Sequence, residues 1–177
     1  MPGEKSSELF PVVDLSGNVI GKATRGECHD SRSMLLHPVV HLHVFTPGRE
    51  ALLLQKRSTT KIIQPGKWDT AVGGHVDYGE SVAEALLRET REELGVDAST
   101  ATAVGRYVWE SSVERELVNI FEMEADPERF STAFDPEEVE AVRFWPVEEI
   151  KVAFGKEILT PNLEKELQKV YPEIFNL

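Results

Sequence analysis

Gly74-His75-Val76-Asp77-Tyr78-Gly79-Glu80 is followed, after seven residues, by Arg88-Glu89-Thr90-Arg91-Glu92-Glu93-Leu94-Gly95-Val96. Ser81 suits a helix N-cap, and Glu84 three residues later completes a capping box. Val82, Ala85, Leu86 and Leu94 supply an apolar face, and Gly95 ends the helix. Glu89, Glu92 and Glu93 stand at i, i+3 and i+4, one face of that helix. Three neighbouring carboxylates repel at neutral pH, so the face calls for a positive partner. Hard divalent cations such as Mg2+ take oxygen ligands together with water and substrate phosphates. The competing reading is a solvated helix in which Arg88 pairs with Glu84 or Glu92.

Strand patterns surround this helix. Leu9–Val13 and Asn18–Ala23 read as short strands joined by the turn Asp14-Leu15-Ser16-Gly17. Gly26–Ser33 reads as irregular. Val39–Phe45 alternates, with Val40, Leu42 and Val44 on one face and His41, His43 and Phe45 on the other. Thr46-Pro47-Gly48-Arg49 turns it into Ala51–Gln55, and Lys56–Lys67 is a basic, polar loop. Gly73-Gly74 marks a bend or a close approach of backbone. Strands follow at Ala101–Trp109, Leu117–Met123 and Val139–Trp145, then a short helix at Val147–Phe154. Thr160 caps a last helix with Pro161 at its first position. Strands on both sides of a central helix, with helices at the end, predict an α/β or α+β fold: a mixed sheet between helices.

The 177 residues are expected to form one domain. Residues 1–8 are polar and expected to fray. A net charge of −12 argues against nucleic-acid binding, which needs phosphate-neutralising cations. No apolar run is long enough to cross a membrane. The start Met1-Pro2-Gly3-Glu4-Lys5 lacks an apolar signal core, and Cys28 has no partner for an intrachain disulfide. A cytoplasmic location is expected from these.

The residues quoted first resemble the Nudix box, G-x5-E-x7-R-E-U-x-E-E-x-G-U, with U a bulky aliphatic residue. Gly74, Glu80, Arg88, Glu89, Glu92, Glu93 and Gly95 fill every fixed position. Val96 fills the last aliphatic place. Thr90 departs from the first, adding a hydroxyl that must be bonded if buried. The resemblance implies a Mg2+ or Mn2+ site in a hydrolase of organic diphosphates. In it Glu92 and Glu93 are the main ligands, and the Gly73 carbonyl adds another. Glu89 is a third ligand or the base that takes a proton from water. Glu80 supports the metal's water shell, and Arg88 orients the glutamates. One further glutamate from outside the box is often recruited, and Glu116 is placed for it. The implied partner is a small-molecule diphosphate, and dimers are common in the family.

A longer likeness takes in Arg25-Gly26-Glu27-Cys28-His29, Leu36-His37, Leu52–Ser58, Pro65-Gly66-Lys67-Trp68-Asp69 and Gly73-Gly74-His75-Val76. These stretches resemble the isopentenyl-diphosphate isomerase-like branch of the same superfamily. That branch holds a metal with three histidines and two glutamates. His29, His37 and His75 stand at matching places, the first interval longer by a residue, and Glu114 and Glu116 match the glutamate pair. Lys56, Arg57 and Lys61 fall where the branch places cations for the diphosphate. The isomerases carry a catalytic cysteine where this chain has Gly73, and they degrade the glutamate cluster that this chain keeps. Both departures favour hydrolysis, with prenyl-diphosphate isomerisation as the alternative. His41 and His43 are expected to be structural, with no carboxylate assigned to them. Trp68 is expected to pack at the cleft floor. Tyr107, Trp109 and Phe121 line either a pocket or the core.

Overall fold

The computed structural model describes residues 7–176; the first six residues of the segment expected to fray lie outside that range. Strands β1 (Leu9–Val13) and β2 (Val19–Thr24) form an antiparallel pair, and Asp14 closes the turn between them by accepting from the Ser16 and Asn18 amides. A four-residue helix, α1 (Arg25–Cys28), follows directly, where the sequence reads as irregular. Thr24 and Glu27 cap it reciprocally. One turn is too short to display a periodic apolar face, so only the capping signature announces it.

The main sheet has seven strands. Its axis is β3 (Leu36–Phe45), which runs parallel to β8 (Arg115–Glu124) along its whole length and antiparallel to β6 (Val72–His75). Strand β4 (Ala51–Arg57) meets β3 at Phe45 and Leu52, then pairs with β5 (Trp68–Thr70) and β9 (Val139–Pro146). Strand β7 (Thr102–Glu110) closes the far edge against β8. The sheet is therefore mixed, as expected.

Each face carries its own core. Val40, Leu42 and Val44 point to the side covered by α2 (Val82–Leu94), where they meet Ala85, Leu86 and Leu94. Phe45, Leu52 and Leu54 point to the other side. There they pack with α3 (Val147–Ala153), α4 (Pro161–Val170) and α5 (Pro172–Phe175). The period of two in β3 decides this division. Helix α2 begins at Ser81, whose hydroxyl accepts from the Glu84 amide while Glu84 accepts from the Ser81 amide. It ends at Gly95, left-handed at φ 68°. Buried Thr90 donates its hydroxyl to the Leu86 carbonyl at 2.7 Å, so its departure from the aliphatic pattern leaves no unbonded polar group.

Candidate active site

Helix α2 and the strand before it bring Gly73, Gly74, Arg88, Glu89, Glu92 and Glu93 to one cleft of about 760 Å³, and Glu80 of the box is not part of its lining. Gly74 is a glycine for a measurable reason. A Cβ there would lie 2.2 Å from Glu89 Cδ, so the carboxylate occupies the space that any side chain would need. The Gly73 amide donates to Glu93 Oε2 at 3.1 Å, drawing the end of α2 onto β6.

Arg88 is the organiser. Its guanidinium holds both oxygens of Glu80 (2.8 and 2.9 Å), Glu89 Oε1 (2.8 Å) and the His75 carbonyl (3.0 Å). Glu92, the helical neighbour expected from spacing, is a more distant partner at 3.3 Å. Arg88 holds Glu80 below the ordinary carboxylate range. Burial raises Glu89 despite Arg88. Burial, and then the charge on Glu89, pushes Glu93 up to about 8. Burial and the neighbouring Glu114 push Glu116 up to about 7. Burial raises Glu89, Glu93 and Glu116 despite the cations that line the cleft, and a divalent cation placed among them would offset that cost.

A second cluster adjoins the first. His29, His37, His75 and Glu114 each offer one ligand atom, all within 4.8 Å of one another. His29 follows α1, His37 starts β3, His75 ends β6, and Glu114 precedes β8. The Nδ1 atoms of His29 and His37 sit 2.8 and 2.9 Å from the carbonyls of Arg25 and Leu35. That leaves Nε2 as the open nitrogen, the arrangement used by metal-binding histidines. His29 turns its Nε2 to Glu114 at 2.7 Å. The buried Nε2 atoms of His37 and His75 have no hydrogen-bond partner among the described residues. Burial holds both rings below the usual imidazole range, hence neutral as ligands must be. Arg25 Nη2 lies 3.3 Å from His75 Nδ1, and Phe10 stacks on the His75 ring at 4.5 Å. Glu116 stands between the clusters: it lines the cleft, and its Oε1 is 3.9 Å from His75 Nε2.

The cations divide by strand alternation. Arg57 lines the cleft and Lys61 lies at its side, held at 3.5 Å from Asp69 and 2.9 Å from Glu138 respectively. Lys56 points to the other face of β4 and bonds Glu140 at 3.1 Å, outside the cleft lining.

His41 and His43 depart from the expectation that no carboxylate meets them. His41 Nδ1 and His43 Nε2 both bond Glu166 of α4, at 2.7 Å each. Burial works against a charged His41 ring, but the Glu166 carboxylate outweighs it and pushes the ring up to about 9. Burial likewise works against a charged Glu166, and His41 and His43 outweigh it, holding that carboxyl well below the usual range. The pairing was invisible in sequence because its partners are 125 and 123 residues apart. Trp68 packs edge-on against Trp145 under α4 rather than on the cleft floor. All three pack against the cores: Phe121 on the α2 side, and Tyr107 and Trp109 against Val39, Val118 and Ile120, beneath Lys169 and Lys165 of α4. Cys28 is wholly buried beside Phe10 and Ala23, and burial pushes its thiol up to about 11, so no thiol serves the cleft.

The profile of the NUDIX domain family matches residues 35–172. The chain belongs to the Nudix family. Its hairpin β1–β2, helix α1 and the His29 that caps it precede the matched segment, yet they supply Phe10, Arg25 and His29 to the site. "Nudix hydrolase 3" of Arabidopsis thaliana is 33% identical over 166 residues, 86% of this chain, but the chain spans only 21% of that protein. An uncharacterized Nudix hydrolase of Yersinia pestis is 31% identical, covering 90% of this chain and 84% of its own. An isopentenyl-diphosphate Delta-isomerase of Cereibacter sphaeroides is also 31% identical, over 76% and 79% of the two chains. Among solved structures, DR0079 of Deinococcus radiodurans superposes with a TM-score of 0.75 over 93% of this chain and 99% of its own. At 21% identity it speaks for the fold. Membership of the family makes the chain a Nudix hydrolase. No helix among the described residues is long and apolar enough to cross a membrane.

Proposed function

We propose that this Nudix hydrolase cleaves the diphosphate bond of a small organic diphosphate in the presence of Mg2+ or Mn2+. The observation that carries this reading is the convergence of Glu89, Glu92, Glu93 and Glu116 on one cleft, where burial raises Glu93 and Glu116 by more than the charge on His41 lowers them. Glu92, Glu93, Glu116 and the Gly73 carbonyl are the ligands this chain offers, with Glu89 as a third box ligand or as the base. A bound divalent cation neutralises charge developing on phosphoryl oxygens and acidifies water. Arg88 fixes the glutamates so that little reorganisation is needed on reaction. Arg57 and Lys61 supply the positive rim that draws an anion into an acidic protein. As base, Glu89 would accept the proton of the attacking water on Oε2, since Oε1 is held by Arg88. His29, His37, His75 and Glu114 would hold a second cation through nitrogen and oxygen.

Glu93→Gln tests the reading. Turnover of a panel of nucleoside, sugar and prenyl diphosphates with Mg2+, followed by phosphate release, is expected to drop by about 100-fold or more. Unchanged turnover would remove the box from the mechanism.

The histidine cluster and the isomerase relatives also support a second reading, isomerisation of a prenyl diphosphate. Gly73 and the buried Cys28 weigh against it, because the cysteine acid that the isomerase likeness calls for is absent from the cleft. Incubation with isopentenyl diphosphate separates the two: an isomerised product supports isomerisation, a monophosphate or inorganic phosphate supports hydrolysis.

A further inference from the structure

Glu166 has no part in the reading above, although it is 1% exposed and charged. It takes three short hydrogen bonds: from His41 Nδ1 and His43 Nε2, and from the Tyr107 hydroxyl at 2.6 Å. A buried carboxylate so fully bonded is a rigid anchor. Two of its three partners, His43 and Tyr107, do not line the cleft. His41 does, between Gln55, Asp69, Gly73 and Glu93, and its side chain keeps 17% exposure.

With Nδ1 held by Glu166, the opposite edge of the His41 ring is the one left for a ligand. Its Nε2 has no hydrogen-bond partner among the described residues. Gly73 lies directly across from His41 in the β3–β6 pairing. A Cβ on Gly73 would stand 3.5 Å from His41 Cδ2 and 3.7 Å from Nε2, covering that edge. Glycine leaves it open beside the carboxylates that would hold the cation. Two of the other cleft donors differ: Arg57 is bonded to the Ile63 carbonyl, and Lys61 to Glu138.

We propose that His41 is a substrate-contacting residue of the diphosphate site, donating from Nε2 to a phosphoryl oxygen, and that Glu166 is the positioning residue that sets the ring through Nδ1. The inference rests on the diphosphatase reading and extends it to a residue on the central strand, remote from the box in sequence. A fixed carboxylate at Nδ1 and a mobile anion at Nε2 are both acceptors, so a bound diphosphate would hold the ring protonated at both edges, and charge-assisted bonds of this kind are the stronger class. The competing role for His41 is that of a counter-ion for Glu93, Glu116 and Asp69. That role would act on metal uptake rather than on the anion.

Calorimetry with Mg2+ alone, and then with the non-hydrolysable methylenediphosphonate added, tells these apart. His41→Asn is expected to bind Mg2+ as the parent does and to lose about tenfold in diphosphonate affinity, the worth of one charge-assisted bond. Glu166→Gln is expected to lose diphosphonate affinity and to shift the His41 ring nitrogen resonances, a signature that looser packing alone does not produce. Val170→Ala, which trims a packing residue of the same helix, is expected to lower the melting temperature and keep the affinity. The proposal is overturned if His41→Asn binds diphosphonate like the parent, or if it loses Mg2+ affinity instead. It is equally overturned if Val170→Ala loses as much as His41→Asn, or if folded Glu166→Gln binds unchanged. Failure of the parent protein to take up either Mg2+ or diphosphonate would sink the diphosphatase reading itself, and this inference with it.

Discussion

At the scale of single residues, the site is a contest between carboxylates and the few groups that hold them. Gly74 decides where Glu89 can go, since the glutamate fills the place of its missing side chain. Gly74→Ala is therefore expected to displace Glu89 and lower metal-dependent turnover by about 100-fold, the cost of misplacing a reacting group by about an ångström. A circular-dichroism melt close to the parent's would show that the fold survives the change. Arg88→Lys keeps the charge and loses the fork that grips Glu80, Glu89 and the His75 carbonyl together. Activity is expected to fall between tenfold and 100-fold, on the order of other losses of outer support around a metal. Parental activity in this variant would mean that charge alone suffices. The gathering of these residues was legible because the box lies within one strand, one turn and one helix, but spacing assigned Arg88 to Glu84 or Glu92 and did not give its grip on Glu80 and the His75 carbonyl. The Glu166 bonds were not legible, because a histidine on an alternating strand carries no mark of what the opposite helix brings.

At the scale of elements, local signals were reliable where they were reinforced. Helix α2 had a cap, a periodic face and a terminal glycine, and it runs from Val82 to Leu94 as those signals dictate. Ser81→Ala removes one side of the capping box and is expected to cost about 1 kcal/mol in urea unfolding. A loss under a few tenths would mean that packing alone defines the helix start. Helix α1 had the same capping chemistry, Thr24 with Glu27, but no room for a periodic face, and so the sequence reads as irregular there. The stretch read as a basic loop from Lys56 shows the complementary error, since its first two residues belong to β4. Lys56 and Arg57 are neighbours in sequence, yet the pleat sends one to Glu140 and the other to the cleft.

At the scale of the whole molecule, the charge distribution makes stability depend on pH and metal together. Glu93 and Glu116 are raised from 4.5, to about 8 and about 7. Between pH 4.5 and those values the metal-free folded chain holds more protons than the unfolded chain, so their contribution fades as pH rises through that window. His41, raised from 6.5 to about 9, adds stability that fades over that later range. Glu80 and Glu166, both lowered, act in the opposite sense: their contribution is present above 4.5 and lost on acidification. Metal-free protein is therefore expected to melt at lower temperature at pH 8 than at pH 6. Added Mg2+ should raise the melting temperature more at pH 8, where fewer protons compete for the carboxylates. Differential scanning calorimetry at the two pH values checks this; an equal or larger Mg2+ effect at pH 6 would contradict it.

By itself the sequence determined the box helix, its caps, its row of carboxylates and the alternation that splits β3 between two cores. All of these depend on interactions within a few residues, so spacing alone encodes them. The tertiary structure decided which distant groups share a space. It placed His29, His37, His75 and Glu114 within 4.8 Å, closed Glu166 onto His41 and His43, and turned Lys56 away from the cleft. Such pairings are fixed by how helices dock on the two faces of the sheet. Packing of whole elements sets that docking, and no local periodicity records it.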